Sequence, residues 1–410
     1  MHLLLGSCVG LISGAAWKTL RRATEAPFLR PATISYIPAI QSRAKHHLTY
    51  LQTTSAAFSA YGQLDPIADL KLFPFLAVAE IIYGPLSSDL EARLLALIPG
   101  REAVFHTVIQ GGITRFRASQ LLPLRANREL HAFKTAWARW NDDAHAAALL
   151  RAEKAAGEAP IVAMYAAVGG GGGGGGITGE QLLQTLDEML FANLDVTMGG
   201  LSWPLIFLAA HPRAQELLRQ EIAAHGTAAA DVEKTTATRA ATATVTDSYL
   251  LSPSTYLHAT LLEASRLRPL AAFSIPQSCP TPRVLGGKYL VPAGTNFVVD
   301  AYALNVRHAI WGPDNTTFRP ERWIEEEGEQ RQRAGDLRYC YWRFGFGPRV
   351  CLGRHVADLI IKVLVVELVK GWELRLEGEQ GKEWEWDKET WIHHPSMRIT
   401  CVRMGVGEGK

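Results

Sequence analysis

YWRFGFGPRVCLGRH, residues 341–355, decides how this chain is read. Three glycines, Gly345, Gly347 and Gly353, crowd a single thiol, Cys351. An apolar segment follows, with Val356, Leu359, Ile360, Val363, Leu364 and Leu368 at helical spacing and Gly371 as its expected C-terminal cap. Cys351 is therefore expected at the mouth of a helix. The unpaired amides and the dipole of a helix N-terminus favour an anion, here the thiolate. Thiolate is a soft ligand for iron, and amide hydrogen bonds to the sulfur tune its electron donation. Gly347 and Gly353 are expected to let the backbone approach a flat partner closely. Arg349 offers a fixed cation for a carboxylate. A large planar metallocofactor with acidic side groups fits this design. A lone cysteine in a glycine-rich turn is ordinarily a buried structural residue; only the full constellation says more.

The chain has 410 residues, a length that suggests two or three domains, with 48% hydrophobic and 20% charged residues. A formal net charge of +2 gives no electrostatic case for nucleic acid. The five cysteines, Cys8, Cys279, Cys340, Cys351 and Cys401, form neither a CxxC pair nor a disulfide framework, which points to a reducing compartment. No apolar run is long enough for a transmembrane helix. The start, MHLLLGSCVGLISG, has an apolar centre but lacks the positive flank of a signal peptide.

Helical spacing dominates the first half. The glycine run 169–176 reads as a flexible loop. Thr178 with Gln181 makes a capping-box signature, opening one long helix through residue 211 that Pro204 would kink late. Pro212 marks a new helix start. Residues 226–248 are Ala/Thr-rich and read as a low-complexity surface insertion, and EEEGEQRQR at 325–333 as a solvated loop. TYLHATLLEASRLRP is a shorter helix, followed by strand-like FSIPQS, KYLV and TNFVVDAYAL, and MRITCVRM ends the chain as a further strand. The fold class is mainly α with small β-sheets.

The constellation Phe344-x-x-Gly347-x-Arg349-x-Cys351-x-Gly353 resembles, with no departure, the haem-binding signature of the cytochrome P450 family. Other segments agree in the family's order. Glu263-Ala-Ser-Arg266 resembles its ExxR motif, whose Glu and Arg share a helix face. Phe318-Arg-Pro-Glu-Arg322-Trp resembles its PERF element, with Trp323 in place of Phe. Trp17-Lys-Thr-Leu-Arg21 resembles its WxxxR, whose Trp and Arg contact a haem propionate. The resemblance implies one haem domain over 1–410, with Cys351 as the axial ligand of the iron of haem b. It also implies a buried structural triad of Glu263, Arg266 and Arg322. The implied activity is a monooxygenase reaction on a small-molecule substrate, using O2 and electrons from an NADPH-dependent flavoprotein reductase.

Ala192-Asn193-Leu194-Asp195-Val196-Thr197 resembles the family's oxygen-side motif, Ala/Gly-Gly-x-acid-Thr-Thr. Asn193 replaces the glycine and Val196 the first threonine. Asp195 keeps the acid and is expected to belong to a proton relay, with Asn193 holding a water. Thr197 is rotated about 100° around a helix from position 196, so it is no direct substitute. Plain hydroxylation is the first expectation, and the departure leaves epoxidation, desaturation, oxidative coupling and ring rearrangement open.

In the family, WxxxR lies well inside the chain. The expectation here is a chain lacking the N-terminal membrane anchor and the first strands and helices, with an exposed sheet edge and no membrane association except peripheral contact. Full-length relatives would sit on the cytosolic face of the endoplasmic reticulum; without an anchor this chain would be cytoplasmic. Its long insertions resemble those of filamentous-fungal members that tailor secondary metabolites. One alternative is a truncated haem-binding remnant without turnover. Another is a nicotinamide site, since APIVAMYAAV ahead of the glycine run imitates a strand–GxGxxG–helix unit.

Overall fold

The structure, a computed structural model, describes residues 2–154, 158–170, 176–227, 244–324, 337, 339–376, 384 and 392–404. They fall into two compact units, Met1–Ile40 with Leu72–Asp195, and Gln41–Lys71 with Val196–Lys410.

The first unit is helical. Its main elements are α1 (Gly14–Thr24), α2 (Leu72–Tyr83), α3 (Ser88–Gln110), α4 (Arg125–Glu153) and α5 (Gly179–Phe191). Buried indoles of α4 join its neighbours: Trp140 Nε1 donates to Leu90 O and Trp137 Nε1 to Leu183 O, each at 2.9 Å. A buried ion pair joins α3 to α5, Arg101 Nε to Asp187 Oδ1 at 2.9 Å, and the guanidinium covers the Phe105 ring. Residues near the chain start are packed, not dangling. Leu4, Leu5, Cys8 and Val9 are buried, and the amides of Ser7, Val9 and Gly10 donate to Gln184, Thr185 and Glu188 of α5. The capping box at the head of α5 is formed, with Thr178 Oγ1 accepting from Gln181 N and Gln181 Oε1 from Thr178 N.

The second unit is built on α6 (Val196–Ala210), α7 (Pro212–His225), α8 (Tyr256–Leu267) and α9 (Arg354–Gly371). Nearly every residue of α6 is buried. Such a helix is held by surrounding packing more than by propensity, so Pro204 lies within it without ending it. In α9 the expected apolar face is buried, and Ile361, Val365 and Val366 are buried as well. A carboxylate of α7 caps α8: Glu221 accepts from the amides of Tyr256 and Leu257 and from the Tyr249 hydroxyl.

The strands are short: β1 (Gln63–Leu64), β2 (Gly226–Thr227), β3 (Thr244–Val245), β4 (Gln277–Ser278), β5 (Arg283–Leu285), β6 (Tyr289–Val291), β7 (Asn296–Phe297), β8 (Trp372–Leu376) and β9 (Ile399–Arg403). β9 lies between β1 and β8, antiparallel to both, while β2–β3, β4–β7 and β5–β6 are two-stranded antiparallel pairs. Gly62 leads into β1 at φ +64°, and a Cβ there would collide with the Cys401 carbonyl, so the position requires glycine. Phe273, Ile275 and Val298, around β4–β7, and Val284, Leu285 and Leu290 of β5–β6 are exposed. Among the described residues no helix is long and apolar enough to cross a membrane.

Several local expectations change. The long helix from residue 178 to 211 is two helices, because a 3-10 turn at Ala192–Leu194 separates α5 from α6. Asn193 Nδ2 donates to the carbonyls of Met189 and Leu190, and Asp195 departs from helical geometry at φ −119° and ψ −61°. Such a side chain competes with the backbone ladder and breaks it. Within TNFVVDAYAL the strand pairing comprises β7 and an isolated antiparallel bridge, Phe273–Asp300. Asp300 Oδ1 accepts from Ala303 N, and a π-helical turn, Ala303–Arg307, follows. Gly371 is the last residue of α9, and Trp372 ends it. APIVAMYAAV is not a strand, since Pro160–Ala166 is a helix, which removes the first element of a dinucleotide site. The bridge Val168–Ile177 closes the glycine run and β2–β3 closes the low-complexity insertion. Residues 171–175 and 228–243, like the charged stretch 325–333, lie outside the described residues.

Candidate active site

The cysteine loop belongs to the second unit. Gly345 and Gly347 take φ +82° and +69°, values that L side chains rarely adopt, and a short 3-10 turn spans Gly347–Arg349. The loop closes where Cys351 N–H donates to Phe344 O at 2.8 Å. Cys351 is exposed, and Phe344 and Arg349 are half-buried. α9 starts at Arg354 with Gly353 as its N-cap, so Cys351 stands ahead of the first helical turn, not inside it.

Behind the loop, the structure brings Glu263, Arg266 and Arg322 together. Arg266 Nε and Nη2 grip both oxygens of Glu263 at 2.8 Å, and Arg322 Nε donates to Glu263 Oε1 at 2.8 Å. All three side chains are buried. Glu263 also accepts from Arg319 N at 3.1 Å and from Trp323 Nε1 at 2.9 Å. The indole that replaces the expected phenylalanine thus acts as a polar member of the network. Arg266 Nη1 extends it to the carbonyls of Asn305 and Asn315.

This loop, in this order after ExxR and PERF, coincides with a match of the sequence profile described as Cytochrome P450 over residues 5–400. The chain belongs to the cytochrome P450 family. It is 44% identical to the cytochrome P450 monooxygenase aclC of Aspergillus oryzae, over 98% of this chain and 76% of that protein. It is 42% identical to the cytochrome P450 monooxygenase asaD of Aspergillus flavus, over 98% of this chain and 72% of that one. A crystal structure of a cytochrome P450 (CYP102L1) shares the fold at a TM-score of 0.77 and 18% identity, covering 98% of this chain and 86% of that chain. The P450 described here is therefore an oxidoreductase of the monooxygenase class, and its family implies haem as cofactor.

The residues of the second unit fit that group. Cys351 is a soft donor on an exposed loop, the donor type that haem iron takes in thiolate-ligated proteins. A Cβ added at Gly347 or Gly353 would meet no chain atom within 4 Å, so the backbone there leaves room for a flat partner. Gly353 has an ordinary φ of −80°, so clearance and not backbone strain is what a glycine offers there.

The other sequence candidates are placed as follows. Trp17 and Arg21 lie one turn apart on α1, both half-buried, with Arg21 Nε on Glu25 Oε2 at 3.0 Å. Asp195 is half-buried at the helix break, Thr197 is buried in the first turn of α6, and the Asn193 amide nitrogen is committed to the helix. Sequence reasoning missed Trp323 as a donor, and it missed Asn305, Arg343 and Asp358. Arg343 Nη1 donates to Asp358 Oδ1 at 2.8 Å, and its guanidinium also covers the Phe344 ring. The one local signal was a charged residue, Arg343, opening an otherwise aromatic and glycine-rich loop.

Proposed function

We propose that this P450 inserts one oxygen atom of O2 into a small organic substrate of fungal secondary metabolism, using haem b ligated by Cys351. The observation that carries the reading is the exposed Cys351 thiol, on a loop closed by its own amide and standing directly ahead of α9. The fungal P450 monooxygenases among its relatives support the substrate class.

Bound haem supplies the oxygen chemistry, with electrons from an NADPH-dependent flavoprotein reductase. The chain's residues do the rest. Cys351 would hold the iron and lend it electron density. Arg349 balances a haem carboxylate, while Phe344, Gly347 and Gly353 shape the backbone around the thiol. Glu263, Arg266 and Arg322 hold the chain behind the loop. Asp195 would supply protons to the reaction, with Thr197 and Asn193 ordering its segment.

The test is the reduced, carbon-monoxide-minus-reduced spectrum of the haem-loaded chain. The red-shifted Soret band of thiolate-ligated iron is expected for the wild type and is lost in Cys351→Ser. A wild type showing only the unshifted band sinks the reading. A red-shifted band without reductase-dependent product leaves a haem protein without turnover.

A further inference from the structure

Three consecutive residues at the head of the cysteine loop are each tied to a different part of the second unit. Trp342 is clasped through its backbone: its N–H donates to Asn305 Oδ1 at 2.6 Å, and its carbonyl accepts from Asn305 Nδ2 at 2.8 Å. Arg343 pairs with Asp358 of α9. Phe344 accepts the amide of Cys351 itself.

The two side-chain anchors are themselves firmly held. Asn305 is fully buried in the π-helical turn, and its carbonyl accepts from Arg266 Nη1 at 3.1 Å. The triad is thereby connected, through one residue, to the loop. Asp358 Oδ2 faces Lys362 Nζ at 3.3 Å and His258 Nδ1 at 3.7 Å, and Lys362 Nζ also donates to Leu250 O at 2.9 Å. Burial raises the Asp358 carboxyl, but Arg343, then Lys362 and His258, outweigh it and hold it well below the ordinary carboxylate range. A backbone clasp fixes where the strand of the loop sits, and an ion pair on the next residue fixes its rotation. Neither contact touches Cys351, yet a short loop pinned at one end by two adjacent residues has little freedom at the other.

We propose that Asn305 and Asp358 are positioning residues for Cys351: by clasping Trp342 and Arg343 they set the register in which the loop 344–351 presents its thiolate to iron. The inference rests on the haem–thiolate reading above. Groups that orient a metal ligand typically change metal affinity by about 10–100-fold when removed.

The test compares Asp358→Asn and Asn305→Ala with Glu221→Gln in the haem-loaded protein. Glu221 lies in the same unit and caps α8, but has no bond to the loop. Three quantities are read: thermal midpoint, haem loss to an acceptor protein with decay of the red-shifted band, and amide hydrogen exchange of residues 341–353. All three variants are expected to melt earlier. Only Asp358→Asn and Asn305→Ala should lose haem about tenfold faster and exchange the loop amides about tenfold faster, and Asp358→Glu should recover most of both. If Asp358→Asn does not fold, Asn305→Ala, which removes no charge, decides alone. Haem loss and loop exchange no faster than in Glu221→Gln would show that the clasps are merely structural. A wild type without the red-shifted band overturns the haem reading itself, and with it the positioning role.

Discussion

Trp323 donates its indole N–H to Glu263 Oε2 at 2.9 Å, making an aromatic side chain one of the donors to a fully buried carboxylate. Phenylalanine, the residue expected from the family element, would keep the ring and lose the donor. A hydrogen bond to a charged group contributes about 1.5–3 kcal/mol. Trp323→Phe is therefore expected to lower unfolding stability by about 2 kcal/mol. Denaturant unfolding at unchanged slope checks this, and an unchanged or raised midpoint would mean that the indole bond contributes nothing.

Glu263 accepts from Arg266, Arg322, Arg319 N and Trp323. Its removal takes the shared carboxylate from two buried guanidinium groups, leaving Arg322 with Asp314 at 3.2 Å and Arg266 with backbone carbonyls. Breaking such a network by deleting one partner costs about 3–5 kcal/mol, much of a domain's net stability. Glu263→Ala should accordingly give little soluble, haem-loaded protein. Haem per chain in the purified fraction is the readout, and wild-type loading would contradict the structural role.

The buried pair Arg101–Asp187 predicts a pH dependence of opposite sign to the usual carboxylate. Burial pushes the Asp187 carboxyl up to about 6, more than the Arg101 guanidinium pulls it down. The folded state then binds this proton more tightly than the unfolded chain. Its stabilisation is full below about pH 4, the unfolded value, and is lost as pH rises through about 6. Asp187→Asn should flatten that stretch of the stability–pH curve of the chain. An identical slope in wild type and variant would remove Asp187 as its source.

What was legible in the sequence was local or bound to a fixed spacing. Thr178 and Gln181 are three residues apart, and the capping box formed as read. The glycines around Cys351 and the apolar face of α9 were legible for the same reason. The Arg343–Asp358–His258 cluster was not, because His258 comes from another helix far away in the chain and only folding brings it near. The break between α5 and α6 escaped notice although Asn193, Asp195, Val196 and Thr197 are weak helix formers, because propensity alone seldom decides where a helix ends. Its cause is one amide side chain that takes two backbone carbonyls. Strand character over TNFVVDAYAL ends after Asp300, which bridges Phe273 and whose carboxylate caps the turn that follows.

The same break motivates the last prediction. A 3-10 stretch between two helical segments often marks a functional position. Here Ala192–Leu194 interrupts the backbone ladder immediately before Asp195, so that carboxylate sits at the discontinuity and not on a regular helix face. Thr197 lies beyond the break, in the first turn of α6 and buried. If Asp195 delivers protons to bound oxygen, Asp195→Ala should slow reductase-supported product formation by about 100-fold, the lower range for general acid–base catalysis. The red-shifted carbon-monoxide band should stay at wild-type intensity, because Asp195 has no part in holding the thiolate. Thr197→Val should have a smaller effect, since the hydroxyl would order the segment without carrying the proton. Product formed per NADPH consumed is the discriminating readout. A loss of band intensity in Asp195→Ala would point to a folding defect, and unchanged turnover and coupling would remove Asp195 from the mechanism.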